Sequence, residues 1–221
     1  MSEESQDQKR QRAIEINRRL TLEYPEARCA LNHENAYQLL VATVLSAQCT
    51  DKRVNMVTPA FFAAYPDARA LAAASLEEIG EAIRSTGFYN AKAKSLKGIA
   101  AAVVRDHGGE IPTTMDALTQ LPGVGRKTAN VVLGNACGIP GIVVDTHMLR
   151  LSNLLELAEG KDAVKVEYAL MELIPPEEWT IFSHRVIEHG RRVCIARRPK
   201  CAECVLNELC PSAKEPQLSS D

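Results

Sequence analysis

The stretch LPGVGRKTANVVL, residues 121–133, places a proline, two glycines and two cations immediately before an apolar run. Pro122 ends a preceding helix, and Gly123 and Gly125 allow backbone conformations that other residues avoid. The glycine amides can then point outward at the start of the next helix, where the helix dipole also favours an anion. The pattern therefore predicts two helices joined by a short turn that binds phosphate without reading base sequence.

Two adjacent cations, Arg126 and Lys127, begin the second of these helices. The positive end of a helix disfavours an ammonium ion, so a lysine in the first turn is pushed toward the neutral amine. Arginine keeps its proton there. Because a neutral amine can form a Schiff base with a carbonyl carbon, we predict that Arg126 binds phosphate and that Lys127 reacts. The alternative is that Lys127 only points to solvent, as first-turn lysines commonly do.

The segment IVVDTHML places Asp145 at the start of the following helix. Aspartate at such a position is a routine N-cap. About one helix and one turn separate Asp145 from Lys127, so the two helix starts can face one cleft. The carboxylate could then take the proton of the lysine and stabilise a cationic sugar while its glycosidic bond breaks. The sequence leaves both roles of Asp145 open.

Helical patterns run through almost the whole chain. The run AYQLLVATVLSAQ is apolar nearly all round and predicts a central buried helix. Ser75 followed by Glu78 matches a capping box, and Asn90 and Thr114 can begin further helices. The only β-like runs are fragments such as IVV at 142–144, which are too short and isolated for a sheet. We therefore predict an all-α protein.

The bulk composition is that of a soluble globular protein, with 221 residues of which 46% are hydrophobic and 24% charged. No stretch approaches the ~18 apolar residues of a membrane span. The polar start MSEESQDQKRQR does not resemble a signal peptide. We therefore expect a protein of the reducing cytoplasm without membrane association. In that compartment the seven cysteines favour metal or thiol chemistry over disulfides.

The charge distribution is polarised although the net charge is only -2. Residues 151–178 contain seven acids and two lysines. Residues 185–200 contain one acid, Glu188, and six basic residues: Arg185, Arg191, Arg192, Arg197, Arg198 and Lys200. Such a chain can present a positive face to a polyanion, although two solvated faces of unlike sign would give the same pattern.

Four cysteines form the pattern C-x6-C-x2-C-x5-C near the end of the sequence: Cys194, Cys201, Cys204 and Cys210. Four thiolates this close together can surround one metal centre. Zinc is a candidate, but its sites usually contain two close cysteine pairs, and here only Cys201 and Cys204 form one. The irregular spacing favours a [4Fe–4S] cluster, with Arg197 and Arg198 on the loop between the first two ligands.

These motifs, in this order, resemble those of endonuclease III, a family of DNA glycosylases in the helix-hairpin-helix superfamily. The segments VATVLSAQCTD at 41–51 and GFYNAKA at 87–93 extend the resemblance, which covers about residues 10–212. It implies two helical domains with the active site in the cleft between them. One would be a six-helix domain, residues 29–139, that contains the helix-hairpin-helix. The other would be a [4Fe–4S] cluster domain formed by both ends of the chain, 1–28 and 140–221.

The resemblance also assigns roles to individual residues. The nucleophilic lysine of the family falls on Lys127, its aspartate on Asp145, and its cluster ligands on the four cysteines named above. Gln48 would fill the gap that a flipped base leaves, and Phe88 would be the wedge between bases. Further DNA contacts are expected from Leu121, Gly123, Gly125, Arg126, Arg197 and Arg198. Phe88 departs from the aliphatic residue common at the wedge position, and Cys49 replaces a usually smaller residue.

The implied activity is that of a bifunctional DNA glycosylase and AP lyase. Such an enzyme excises oxidised pyrimidines from duplex DNA through a lysine Schiff base and then cuts the strand by β-elimination. We expect duplex DNA with damaged pyrimidines or abasic sites as the partner, a monomeric protein, and a nucleoid-associated location. The alternatives are a mismatch-specific glycosylase of the same superfamily and a non-catalytic iron–sulfur DNA-binding protein.

Overall fold

A computed structural model describes residues 4–213 of the chain and shows an all-α protein. Within this range there are eleven α-helices and no β-strand, which confirms the predicted fold class. In chain order the helices are α1 Gln6–Glu23, α2 Ala36–Leu45, α3 Asp51–Ala64, α4 Ala68–Ala73, α5 Leu76–Ile83, α6 Tyr89–His107, α7 Met115–Thr119, α8 Arg126–Ala136, α9 Thr146–Leu154, α10 Ala163–Leu173 and α11 Trp179–Arg192. None of the described helices is long and apolar enough to cross a membrane.

Most helix starts are fixed by side chains that accept hydrogen bonds from the first turn. Ser75 and Glu78 form the predicted capping box of α5, and Thr114 caps α7 as predicted. A second capping box, between Ser5 and Gln8, begins α1. Each such cap supplies a partner for an amide that would otherwise lack one.

The start of α6 differs from the prediction. Asn90 does not cap this helix, which begins one residue earlier at Tyr89. The N-cap is Phe88, whose backbone is left-handed with a φ of 48°, and no side chain caps the helix. Gly87 before it also has a positive φ, of 72°. The chain therefore enters α6 through two successive left-handed residues, and this reversal rather than a polar side chain sets the helix start.

Contacts within the chain divide it into two units, of which the first is Cys29–Ile139. This unit holds α2 to α8, and α2 packs against α3, α6 and α8. No residue of α2 is exposed, as expected for a helix that is apolar nearly all round. The unit has seven helices, two of which, α4 and α7, have six residues or fewer, whereas the resemblance implies six helices.

The second unit is formed by the described residues on either side of the first, 4–28 and 140–213. Here α1 packs against α10 and α11, and α9 packs against the same two helices. The apolar run 142–144 is buried but is not a strand, since it is an extended connection whose Val143 amide donates to the Ser183 hydroxyl at 2.9 Å. The expected domain limits 1–28 and 140–221 include residues 1–3 and 214–221, which lie outside the described residues.

Candidate functional site

The turn between α7 and α8 has the backbone that the sequence predicted at one of its two glycines. Gly123 has a φ of 76°, in the left-handed region that favours glycine. Gly125 has an ordinary extended backbone and serves as the N-cap of α8. A side chain on Gly125 would meet no atom within 4 Å, so the space above this residue is open. Gly123 is therefore required for the shape of the turn, and Gly125 gives access to it.

The amides at this helix start have the arrangement of an anion site. In the described part of the chain, neither the Gly123 amide nor the Gly125 amide donates to another residue. No side chain caps α8, which leaves the amides of its first turn without a capping acceptor. Donors at a helix start attract phosphate through both their N–H groups and the helix dipole. The turn is thus built to accept an anion from outside the chain.

The side chain of Leu121 is buried beneath the turn. Its side chain is only 3% exposed and packs in the core of the Cys29–Ile139 unit. Its carbonyl accepts from the Val124 amide at 3.1 Å, which helps to close the turn. Leu121 therefore anchors the turn from the inside, because an apolar side chain at this position gains more from burial than from exposure. The DNA contact predicted for Leu121 stays a prediction, and with the side chain buried it would have to involve the backbone.

The two cations at the start of α8 have different environments. Lys127 is exposed, in the first turn of the helix. Arg126 is half-buried and already has an interaction partner in the protein. Of the two, Lys127 is the one whose side chain reaches solvent, where an incoming ligand could meet it.

Asp145 is an N-cap, as one of its two predicted roles requires. Its Oδ1 accepts a hydrogen bond from the Met148 amide at 2.8 Å and so begins α9. The side chain is half-buried. The cap fixes the orientation of the carboxylate, which a catalytic role would also need. Asp145 belongs to the second unit and Lys127 to the first, so a shared role for the two residues stays a prediction.

Gln48 and Phe88 share an unusual backbone. Their φ values are 52° and 48°, in the left-handed region that non-glycine residues rarely adopt. Both side chains are exposed, and that of Phe88 is exposed to 66% of its surface. An exposed apolar ring on a strained backbone costs free energy of folding, and such features are commonly found at functional sites. The two residues predicted to enter the DNA stack are thus both presented on strained, exposed turns.

The four predicted cluster ligands line one cavity in the second unit. Its volume is about 260 Å³, and all four thiols, Cys194, Cys201, Cys204 and Cys210, contribute to its wall. Among the described residues, no three His, Cys, Asp or Glu side chains are arranged to hold a single metal ion. Four thiols around a cavity of this size therefore fit a group wider than one ion, such as a [4Fe–4S] cluster.

Hydrogen-bond donors point at the cluster thiols, which also fits thiolate ligands. Arg150 Nη1 lies 3.5 Å from Cys194 Sγ, and the Leu206 amide lies 3.4 Å from Cys204 Sγ. His189 Nε2 lies 3.4 Å from the same Cys204 sulfur. Such donors stabilise the negative charge that a sulfur carries when it binds iron. The cavity wall is thus suited to anionic sulfur.

A buried tyrosine holds this histidine. The Tyr24 hydroxyl lies 3.0 Å from His189 Nδ1. Burial lowers the pKa of His189 to about 4, and the charge of Arg150 acts in the same direction. Burial also raises the pKa of Tyr24 to about 12. At neutral pH the imidazole is therefore neutral, and a Tyr24 hydroxyl that donates to Nδ1 leaves the ring proton on Nε2, directed at the sulfur.

The basic segment 185–200 is less uniform than its sequence suggests. Arg185 is only 8% exposed, and its Nη1 donates to Glu178 Oε2 at 2.6 Å. Arg192 forms an ion pair with Glu188. Arg197, Arg198 and Lys200 are exposed. The positive surface predicted for this segment therefore does not include Arg185 and is concentrated on the loop between the first two cysteines.

Comparison with known proteins identifies the family of the chain. The model of the HhH-GPD superfamily of base excision DNA repair proteins matches residues 41–176, and that of the iron–sulfur binding domain of endonuclease III matches 194–210. Endonuclease III of Synechocystis sp. is 54% identical over 93% of this chain and 94% of its own length. That of Escherichia coli K12 is 40% identical over 89% and 93%. The chain belongs to the endonuclease III family.

Solved structures agree with this assignment to the endonuclease III family. A non-covalent endonuclease III–DNA complex matches with a TM-score of 0.87 and 42% identity, over 92% of this chain and 96% of that one. A trapped endonuclease III–DNA covalent intermediate matches with the same values. The chain is therefore a DNA-binding repair enzyme, a DNA glycosylase and AP lyase with a [4Fe–4S] cluster. The predicted family, activity and cofactor are confirmed.

Sequence reasoning missed the residues that surround the cluster thiols. Tyr24 lies far from His189 in the chain, and no local pattern connects either of them to Cys204. A single buried histidine near the end of α11 reads as an ordinary core residue. Arg150 follows Asp145 by five residues, and Leu206 lies within the cysteine motif itself, but neither position indicated a donor to sulfur.

Proposed function

We propose that this member of the endonuclease III family excises oxidised pyrimidines from duplex DNA and cuts the strand through an imine at Lys127. One observation carries the covalent mechanism: the 42% identical endonuclease III was trapped as a covalent intermediate with DNA. Lys127 supports it because this lysine is exposed in the first turn of α8, beside amides that can hold a phosphate. A covalent link to sugar requires a nucleophile of this kind.

The proposed reaction begins with attack of the unprotonated Lys127 Nζ on C1′ of the damaged nucleotide. The bond between C1′ and the base breaks, and the base leaves with the electron pair and gains a proton. The bond between C1′ and the ring oxygen O4′ then breaks while O4′ gains a proton, which opens the sugar and leaves an iminium between C1′ and the lysine nitrogen. The iminium acidifies C2′, which loses a proton while the bond between C3′ and the 3′ phosphate oxygen breaks. Water then hydrolyses the imine and frees the lysine. The strand is cut on the 3′ side of the lesion.

Asp145 is proposed to assist the first step. Its carboxylate accepts the lysine proton before attack and stabilises the positive charge that grows on the sugar as the base leaves. The N-cap bond to the Met148 amide uses Oδ1 and holds the side chain in one orientation. A carboxylate fixed in this way loses little freedom when the sugar arrives.

The DNA is proposed to be held by its phosphates and opened by two side chains. The Gly123 and Gly125 amides bind one stretch of backbone, and Arg197 and Arg198 bind another. Phe88 enters the stack as a wedge, and Gln48 takes the place of the flipped base. The bound cluster supplies the bonds that hold the 194–210 segment and its cationic loop in shape. We further propose that the protein acts as a monomer, which light scattering on the DNA complex would test.

An incision screen tests the proposed substrate class. Full-length, cluster-loaded protein is given duplexes with thymine glycol, another oxidised pyrimidine, a G·T mismatch, a G·A mismatch or an abasic site. We expect cleavage of the oxidised pyrimidines and the abasic site, with a sugar fragment left at the 3′ end. Faster removal of mismatched thymine or adenine would favour the mismatch-specific alternative. Binding without any incision would favour a non-catalytic role.

A further inference from the structure

Lys92, in the first turns of α6, is a buried lysine that no catalytic step uses. Its side chain is only 5% exposed, which is rare for a lysine. Its Nζ donates to two main-chain carbonyls, those of Leu45 and Thr86, at 2.8 Å each. Burial lowers the pKa of Lys92, and the nearby Cys49 thiol, when ionised, opposes that shift.

The two carbonyls belong to the two turns that present the proposed DNA-opening residues. Leu45 is the last residue of α2, three positions before Gln48. Thr86 ends the short 3₁₀ turn Arg84–Thr86, two positions before Phe88. A single ammonium group therefore joins the turn that carries Gln48 to the turn that carries Phe88.

Both ends of this link are chemically suited to a cation. The carbonyls at the end of a helix lack partners within the helix and carry the negative end of its dipole. The hydroxyl of Thr86 donates to the Ile83 carbonyl at 2.8 Å, so the 3₁₀ turn is already ordered by its own side chain. What Lys92 adds is the connection across to α2. An apolar residue of similar length could fill the same space, so packing alone does not require the ammonium group.

We propose that Lys92 is a positioning residue that fixes Gln48 and Phe88 relative to each other, so that wedge and gap-filler act together on one base pair. The left-handed backbones of Gln48 and Phe88 are strained and would relax without a constraint. The two bonds from Lys92 supply that constraint. This inference rests on the DNA roles proposed above for the two residues.

The chain offers a matched control on the same helix. Lys97 Nζ donates to the Ala74 carbonyl at 2.6 Å, and Ala74 is the C-cap of α4. Lys97 thus also ties α6 to the end of a helix, but that helix end carries neither Gln48 nor Phe88. Lys92→Met and Lys97→Met keep the aliphatic part of each side chain and remove the donor. A general effect of losing a lysine link would appear in both variants.

The test compares two duplexes that differ only opposite the lesion. In one, thymine glycol faces adenine; in the other it faces a tetrahydrofuran abasic analogue, which leaves no orphaned base to support. Single-turnover excision by cluster-loaded Lys92→Met should fall by about tenfold on the first duplex and by less than about twofold on the second. Lys97→Met should be slowed equally on both. Equal slowing of both duplexes by Lys92→Met would overturn the proposal.

Phe88→Ala and Gln48→Ala separate failure of this inference from failure of the proposed DNA roles. If these variants leave the ratio between the two duplexes unchanged, the roles themselves are wrong. If they alter the ratio and Lys92→Met does not, Lys92 has no positioning role. In the Phe88→Ala background, Lys92→Met should change the ratio no further. Should Lys92→Met fail to fold, Lys92→Gln, which keeps only one kind of N–H donor and no charge, must slow excision on the adenine duplex more than on the tetrahydrofuran duplex, or the proposal falls.

Discussion

Two lysines of the Cys29–Ile139 unit, Lys127 and Lys92, differ in how their amines are placed relative to a helix end. At the start of α8, Lys127 is exposed beside glycine amides that donate to no other described residue. At the end of α2, Lys92 is buried and donates to the carbonyls of Leu45 and Thr86. Lys127 belongs to the first turn of α8, at the positive end of that helix, whereas the ammonium group of Lys92 reaches from α6 to the negative end of α2.

The difference shows how one residue type is given two uses. An ammonium group at a helix end with free carbonyls is satisfied by them and becomes part of the structure. An amine at a helix start has no carbonyl partner there. The free N–H groups of that helix start can bind an anion, and the amine can react with an electrophile. We call the end of α2, whose Leu45 carbonyl accepts from Lys92, the closed end, and the start of α8, whose glycine amides donate to no other described residue, the open end. The closed end is the one proposed to hold the turns in shape, and the open end is the one proposed to meet the DNA. The predictions below concern groups that are already paired within the protein and groups that are proposed to meet the DNA.

The largest effect is expected at the open end, from Lys127→Arg. Arginine keeps the positive charge but has no neutral amine with which to form an imine. If Lys127 is the nucleophile, Lys127→Arg and Lys127→Gln should both slow excision and strand cleavage by about 10⁴-fold, while Lys127→Arg binds DNA almost as tightly as wild type. Single-turnover kinetics and filter binding measure the two quantities. Near-normal cleavage by Lys127→Arg would mean that the residue only holds phosphate.

A smaller effect, on stability, is expected from a substitution in the second unit. Three side chains there are hydrogen-bonded to one another: Asn17, Glu178 and Arg185. Asn17 Nδ2 donates to Glu178 Oε2 at 3.2 Å, and Arg185 Nη1 donates to the same oxygen and to Asn17 Oδ1. Burial raises the pKa of Glu178, but the bonds from Arg185 and Asn17 outweigh it and leave the pKa below its ordinary value of 4.5. Because the carboxylate is partly exposed, Glu178→Gln should lower the free energy of unfolding by about 2 kcal/mol.

This loss should depend on pH in one direction. A carboxyl whose pKa is lower in the folded state stabilises the protein fully above its ordinary pKa, and loses that contribution as the pH falls through the folded value. Urea unfolding at pH 7 should therefore separate wild type from Glu178→Gln, and the two curves should converge below about pH 4. If wild type and Glu178→Gln differed equally in free energy of unfolding at pH 7 and at low pH, the charge of Glu178 would not contribute to stability.

The two glycines of the α7–α8 turn should separate shape from access. Gly123→Ala places a side chain on a backbone with a φ of 76° and should cost about 1 kcal/mol of stability. Gly125→Ala meets no atom within 4 Å, so its stability should equal that of wild type. Its methyl group occupies the space open to phosphate, and DNA affinity should fall about fivefold. Thermal unfolding and fluorescence anisotropy would contradict this if Gly125→Ala unfolded early or bound DNA normally.

The smallest effect is expected from one cation of the cysteine loop. Arg197→Ala should weaken DNA binding uniformly across sequences and reduce the slope of log affinity against log salt by about 1. Arg18→Ala is the control, because Arg18 is equally cationic but paired with Glu15 on α1. An unchanged slope for Arg197→Ala, or the same change for Arg18→Ala, would remove the loop from the proposed interface.

The sequence predicted those parts of the molecule that local chemistry controls. Helix starts at Ser75, Thr114 and Asp145 followed from side chains that can accept from a first turn. The glycine turn and the cysteine spacing were equally local. The prediction that Asn90 caps α6 was wrong, because the backbone of the two residues before α6 sets that helix start instead. The burial of the Leu121 side chain was not predicted, because it depends on packing in the core and not on its neighbours in the chain.

Contacts between distant residues could not be predicted in this way. Nothing near Lys92 in the sequence indicates that its amine reaches the end of α2, 47 residues earlier. The burial of Arg185 depends on Asn17 and Glu178, one of which lies in the first helix. A basic residue in a basic segment looks like surface until the fold supplies its partner. The position of Lys127 at a helix start therefore suggested a reactive lysine from sequence, whereas only the structure showed that Lys92 is buried.

Reductive trapping tests the contrast between the two lysines most directly. Cluster-loaded protein is mixed with a thymine glycol duplex and borohydride, and the covalent product is digested and sequenced by mass spectrometry. We predict one adduct, on Lys127, that is absent from Lys127→Arg and still formed by Lys92→Met. A wild-type protein that gives no adduct, or an adduct that survives in Lys127→Arg, would contradict the assignment of chemistry to the open end of α8.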